Sequence, residues 1–291
     1  MRIDDMQRVM RLGLCRIFFL FALSFVVAQP CVFATLCGGA MDGDEAYEKR
    51  AAALQMAAWV TEHSGGNQAI PSHNEMAPAS SAVSLLKSFR ENGCTQGTVV
   101  DMGAGKGRNS VFFAQNGFNV VSLEYVPVAA QRIRDSALSF GLGDRIEVHE
   151  ADVTEKWPLD SGSVAAVIDS YASIDIPTAS LRKRARDEGF RVLRKGGLLG
   201  IAVVSIEDPW ESELHRQAEF RGAEPNSVFW PDPEKPSQPG KFQKDYTQEE
   251  LVGFYQEAGY RLVEIKEIRK TANKRGRTDT AVNFLAVFTK P

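Results

Sequence analysis

The chain has 291 residues, 44% hydrophobic and 24% charged, with 24 glycines, 13 prolines, 4 cysteines and a formal charge of −3. Those proportions exclude a disordered, collagen-like or disulfide-scaffold protein and leave room for a sizeable core. The near-neutral charge supplies no broad cationic field, so nucleic acid is not the expected partner.

Ile17–Ala28 reads IFFLFALSFVVA behind Arg8, Arg11 and Arg16. Small residues at Ala28 and Ala34 suit signal-peptidase cleavage, and an apolar stretch over residues 12–39 suits a membrane anchor. A start at Met41, with the first forty residues upstream of it, is the third reading. A leader or anchor implies export or a membrane-associated domain, and a start at Met41 a cytoplasmic one. Cys15, Cys31 and Cys37 all fall in this segment and only Cys94 in the body. The body therefore cannot rest on a disulfide or a multi-cysteine metal site. His63, His73, His149 and His215 show no ligand spacing, so no metal is expected.

From residue 41 the pattern is regular. Residues 41–96 read as an N-terminal helical cap, with helices over Ala46–His63 and Ser80–Asn92 and a Gly/Pro loop between them. From residue 97 apolar strand-like runs alternate with helical stretches: Thr98–Asp101, Asn109–Asn116, Asn119–Glu124, Val128–Phe140, Ile146–Glu150, Val164–Ile168, Ala179–Leu193 and Leu198–Ser205. This alternation predicts an α/β fold with a mostly parallel sheet covered on both faces. Residues 207–246 carry six prolines and read as an irregular, lid-like insertion after the fifth strand. Thr247-Gln-Glu-Glu250 is a capping box that opens a helix, and Arg261–Arg269 with Ala281–Thr289 predicts an antiparallel finish.

Chemistry concentrates in Val99-Val-Asp-Met-Gly-Ala-Gly-Lys-Gly-Arg-Asn109, a strand entering a glycine turn and a helix. The third glycine of a dinucleotide fingerprint falls on Arg108, and the phosphate-loop pattern also fails. Asp101 would repel phosphate and suit a cationic amino group. The ligand predicted is thus an aminoacyl-nucleoside without phosphate, bound by Asp101, Gly103, Ala104, Gly105, Gly107 and Asn109. Glu124 ends the second strand, where an acid can accept from ribose hydroxyls. Asp152 follows the third strand, placed for an adenine amino group, and Asp169 follows the fourth. Tyr125 and Val153 flank these acids and complete the expected cofactor wall.

In this order of motifs the sequence resembles the class I S-adenosylmethionine-dependent methyltransferases from about residue 80 to 291. The carriers are D-x-G-x-G-x-G, the acid ending strand two, Ala151-Asp-Val153, and Leu193-Arg-Lys-Gly-Gly197 before strand five. Gly107-Arg-Asn-Ser110 and Asn116-Gly-Phe118 are similar to the tellurite-resistance-type branch of small-molecule enzymes. The resemblance implies a Rossmann-like seven-stranded sheet with its last strand antiparallel and S-adenosylmethionine as cofactor. It also implies an enzyme that transfers a methyl group to a small-molecule acceptor.

Candidate catalytic residues are Asp169, Tyr171 and His215, and Asp175 is a further candidate for a catalytic or substrate role. Each has a bland alternative as a core, turn or surface residue. Trp210, Phe229 and Trp230 would either pack the insertion or cage a substrate. Arg182, Lys183, Arg184 and Arg186 read as a solvated helix face, whereas Lys274, Arg275 and Arg277 sit in a turn that could attract an anion or simply be a charged loop tip. Two competing functions remain: a non-catalytic binding module for the same cofactor, and an aminopropyltransferase on the same fold.

Overall fold

The computed structural model describes residues 45–65, 75–232, 235–274 and 276–291. The leader or anchor reading of residues 1–40 lies outside these residues, as do His73 and Arg275. No helix among the described residues is long and apolar enough to cross a membrane.

Two helices come first, α1 (Glu45–Gly65) and α2 (Ser80–Glu91). Then follow β1 (Thr98–Met102), α3 (Arg108–Gln115), β2 (Asn119–Glu124), α4 (Pro127–Ser139), β3 (Ile146–Glu150), β4 (Val164–Ser170), α5 (Ala179–Val192) and β5 (Leu193–Val204). The insertion contributes α6 (Pro209–Arg216) and a hairpin of β6 (Ser227–Pro231) and β7 (Pro239–Lys244). The chain closes with α7 (Gln248–Gln256), β8 (Arg261–Lys274) and β9 (Arg277–Thr289).

The main sheet has seven strands in the order β3-β2-β1-β4-β5-β9-β8. β1 to β5 pair in parallel, and β9 runs antiparallel to both β5 and β8. The central strands are buried on both faces, which is why β4 reads Val-Ala-Ala-Val-Ile with no polar alternation. On one face α2, α3 and α4 bring Leu85, Phe89, Phe113 and Ile133 against Val99, Ala166, Ile168 and Leu285. On the other, α5 and α7 bring Leu181, Val192, Leu251 and Tyr255 against Val100, Leu123, Leu199 and Phe288. α2 packs so closely on β5 that a Cβ added at Gly200 would come within 2.7 Å of Leu85.

The insertion is more ordered than its prolines suggest. Asp208 caps α6 by accepting the Trp210 N–H with Oδ1, and its Oδ2 accepts the Val282 N–H at 2.9 Å, tying α6 to β9. The basic face of α5 is also not solvated throughout. Arg182 is buried against Glu224 and donates to the Ile176 carbonyl, while Arg186 covers the Phe254 ring. Arg277, expected in a loop tip, lies in β9 over the Trp210 ring and pairs with Glu213 and Asp279.

Candidate functional site

Parallel strands end at one edge of the sheet, and the turns after β1, β2, β3 and β4 converge there. Between them and α1 lies a cavity of about 320 Å³, within the range of small-ligand sites. Its wall includes Gly103, Ala104, Gly105, Asn109, Glu124, Tyr125, Asp152 and Val153. These are the residues singled out around the glycine turn and after strands two and three.

The glycine turn works through its backbone. Gly103 has φ +63°, and a Cβ there would meet that of Ala172 at 2.6 Å. At Gly105, φ +58°, a Cβ would meet only His63 Cε1 at 3.9 Å, so it would project into the cavity under that ring. Glu124 holds the turn in place: Oε2 accepts the Gly105 N–H at 2.8 Å and Oε1 the Val126 N–H at 2.7 Å. Burial, opposed by these bonds, pushes its pKa up to about 7. Asp152 Oδ1 accepts both the N–H and the hydroxyl of Thr154, which fixes an exposed carboxylate on the rim. Asn109 lines the wall while its Oδ1 caps α2 by accepting the Ala79 N–H.

Four expected site residues do not reach this cavity wall. Asp101 is 1% exposed and points to the α3 face of the sheet, where it accepts from Ser110 Oγ at 2.5 Å. Alternation along β1 decides this, because Val100 and Met102 take the opposite face. Burial raises the Asp101 pKa to about 6. Gly107, φ +82°, is the N-cap of α3 and packs on Ile133. Asp169 is fully buried and accepts the N–H groups of Ala172 and Ser173, a turn-shaping role beneath the site. His215 sits at the end of α6 bonded to buried Asp245 at 2.9 Å, in neither cavity wall.

Sequence reading missed the roof. Gln55, Trp59, Glu62 and His63 of α1 close over the glycine turn. Gln55 exchanges two hydrogen bonds with the backbone of Phe242 on β7, at 2.9 and 3.1 Å. Glu62 pairs with Lys241, and the His63 carbonyl accepts from Arg132 at 2.6 Å. Burial, with Lys106, Arg132 and Lys241 nearby, lowers the His63 pKa to about 4, so this imidazole is neutral at physiological pH. Nothing in the alanine-rich helix marked it as a roof; its partners lie far away in the chain.

A second cavity, about 580 Å³, adjoins the first. Trp59, Arg108, Tyr171 and Asp175 belong to both walls. Tyr171 leaves β4 with φ +68°, a left-handed conformation that costs an aromatic residue roughly 1–3 kcal/mol. Strain of that kind at the shared wall is a mark of function. Asp175 follows in the one-turn helix Ser173–Asp175, and burial raises its pKa to about 8. The far side of the second cavity comes from the insertion and the β8–β9 hairpin, through Trp230, Phe242, Lys270 and Asn283.

Residues 99–197 match the family model described as a methyltransferase domain. Among solved structures, a SAM-dependent methyltransferase from Methanosarcina mazei is 19% identical with a TM-score of 0.60, covering 70% of this chain and 96% of its own. The 1,6-didemethyltoxoflavin-N1-methyltransferase of Burkholderia thailandensis, solved with that compound and S-adenosylhomocysteine, is 15% identical with a TM-score of 0.60. It covers 87% of this chain and 92% of its own. TehB from Haemophilus influenzae has 14% identity and a TM-score of 0.53, with 75% and 64% covered. No curated protein sequence matches this chain. Over residues 99–197 the chain is thus similar to a methyltransferase domain, and its fold is one that S-adenosylmethionine-dependent methyltransferases share.

Proposed function

We propose that this protein transfers a methyl group from S-adenosylmethionine, bound in the first cavity, to a small-molecule acceptor in the second. The observation that carries the reading is the shared wall of Trp59, Arg108, Tyr171 and Asp175 between a glycine-turn cavity and a roomier pocket. The residues fit the cofactor. The backbone comes close at Gly105, the carboxylates of Glu124 and Asp152 suit ribose hydroxyls and an adenine amino group, and no phosphate loop is present. Neutral His63 above the turn adds no charge against a sulfonium.

S-adenosylmethionine bound there would supply an electrophilic methyl group, with its sulfur leaving as the neutral thioether of S-adenosylhomocysteine. The chain's part is to align and to manage a proton. Trp59 and Tyr171 form the passage through which an acceptor must face the first cavity, and such alignment contributes roughly 7–11 kcal/mol in well-oriented reactions. Where the acceptor's nucleophile carries a proton, Asp175 is the group placed to take it, because it lines both cavities; with a pKa of about 8 only its ionised fraction acts, and that fraction grows above neutral pH. Groups acting on Asp175 are Lys241, Glu62, Asp169 and Glu211, with Arg108, Trp59 and Tyr171 beside it in the shared wall.

Thermal unfolding of the full chain with S-adenosylmethionine or S-adenosylhomocysteine tests the first half. Ligand at a hundred times its Kd should add about 2.7 kcal/mol, or roughly 5–10 °C at about 2–4 °C per kcal/mol. Absence of a shift with both ligands would end the proposal. Release of S-adenosylhomocysteine on addition of an acceptor panel tests turnover, and strict preference for the decarboxylated cofactor would favour aminopropyl transfer instead.

A further inference from the structure

We infer that the acceptor presents a lactam, carboxamide or ureide edge, an N–H beside a carbonyl, and that Gln243 and Asn283 in the second cavity recognise it. This rests on the methyl-transfer reading, which alone makes the occupant an acceptor, and it names the substrate class left open there.

The end of β5 brings these two amides to one cavity. Val204, itself in the wall, pairs with Asn283 in the β5–β9 ladder, and its carbonyl accepts the Tyr246 N–H just beyond β7. Gln243 lies on β7 shortly before Tyr246 and lines the same wall as Asn283. The two residues are 5% and 7% exposed, so each amide has lost most of its water. Gln243 gives its amide N–H to Asp245 Oδ1 at 2.6 Å, and the other oxygen of buried Asp245 lies 2.9 Å from His215 Nε2. A carboxylate only accepts, so Asp245 holds the amide nitrogen of Gln243 toward itself, and the carbonyl oxygen turns away from it. Among the described residues that oxygen accepts no hydrogen bond, and the Asn283 side chain makes none. Their unbonded atoms are not sealed inside the protein, so what remains of their accessible surface faces the cavity they line. Polar groups so nearly dry are costly until a ligand completes them. The complementary edge is another amide: its N–H donates to Gln243 Oε1, and its carbonyl accepts from Asn283 Nδ2. Charged members of the wall are engaged within the protein. Lys241 pairs with Glu62, Lys270 donates to Ser80 Oγ at 2.8 Å, and Arg108 has Asp101, Glu75 and the Tyr171 hydroxyl nearby. A neutral amide edge adds a ligand without disturbing them.

The test uses two neutral probes of the same outline: 2-quinolinone, a lactam, and coumarin, in which oxygen replaces the N–H. Each is titrated with the full chain, and binding is read from the probe's own nuclear magnetic resonance signals. 2-Quinolinone should bind at least about tenfold more tightly, because the lactone leaves Gln243 Oε1 desolvated, unpaired and facing another oxygen. Gln243→Leu and Asn283→Leu, similar in size and without hydrogen-bonding groups, should each lower that ratio at least about threefold, with folding checked by thermal unfolding. Equal binding of the two probes, tighter binding of coumarin, no binding of the lactam up to its solubility limit, or a ratio unchanged in either variant would overturn the inference. The wild-type ratio stands even where a variant fails to fold. A parallel titration with S-adenosylhomocysteine is read separately: its failure removes the methyl-transfer reading, while the lactam-to-lactone ratio still decides whether the two amides select an N–H beside a carbonyl.

Discussion

The two cavities meet at one wall but are built in opposite ways. The first is assembled from consecutive turns after parallel strands, so its position follows from topology, and its glycine turn is fixed by backbone N–H groups that donate to Glu124. The second is assembled from α1, the start of α2, the insertion and the last hairpin, and its character comes from side chains. Backbone sites tolerate little variation and serve one invariant ligand, whereas side-chain sites can change without disturbing the sheet. That division matches a constant methyl donor and a variable acceptor.

The largest effect should come from breaking the backbone half. Glu124→Ala strips the acceptor from the buried Val126 N–H, at about 1–3 kcal/mol, and from the part-buried Gly105 N–H, and should abolish cofactor binding. Thermal unfolding with and without S-adenosylhomocysteine reads both losses, and an unchanged melting temperature would show that Glu124 does not organise the turn. Gly105→Ala is the more local version: its Cβ enters the cavity at a left-handed backbone, so cofactor Kd should rise at least tenfold in calorimetric titration while Glu124 keeps the rest of the turn in place.

A pH series sharpens the comparison. Asp101, Asp169 and Glu124 have folded-state pKa values raised by burial to about 6, 6 and 7. At these groups, and at Asp175 with its pKa of about 8, the folded state binds more protons than the unfolded one, and stability is lost as pH rises from about 4 to 8. His63, lowered to about 4, opposes this below about 6.5, and the four acids outweigh it. One carboxylate moved by about two units corresponds to at most about 3 kcal/mol. Asp101→Asn should flatten its share of that decline in denaturant titrations at pH 5 and 7.5; a wild-type curve that rises over this window would contradict the burial argument.

On the side-chain half, Gln55→Ala removes both bonds between α1 and Phe242 and frees that part of the roof. Hydrogen-exchange protection of α1 should drop while the β1–β4 core keeps its own, a local opening. The smallest effect belongs to Asp152→Ala, at the exposed rim: a few-fold weaker cofactor binding by calorimetry with little loss of stability.

Much of this protein was legible in its sequence. β2 and β3 begin and end where their apolar runs do, and Thr247 caps α7 as expected, its hydroxyl accepting the Glu250 N–H, while the Glu250 carboxylate turns to Lys244 and Asn226. Gly103, Gly105, Glu124 and Asp152 stand at one cavity because each sits at a fixed place after a parallel strand. These are local properties, set by period, turn chemistry and strand order.

Which face a side chain takes and which distant segment covers it are not local. Asp101 belongs to the motif yet lies behind it, since one residue along a strand exchanges cavity for core. His215 and Asp169 became parts of buried hydrogen-bonded networks. Trp59, His63 and Lys241 gained their roles only when α1 and the insertion packed together over the sheet edge. The sequence by itself determined the strands, the glycine turn and the acids that follow them, because neighbouring residues dictate those. Tertiary packing alone decided the roof and the second cavity, because their surfaces come from segments that share no sequence pattern and meet only through burial.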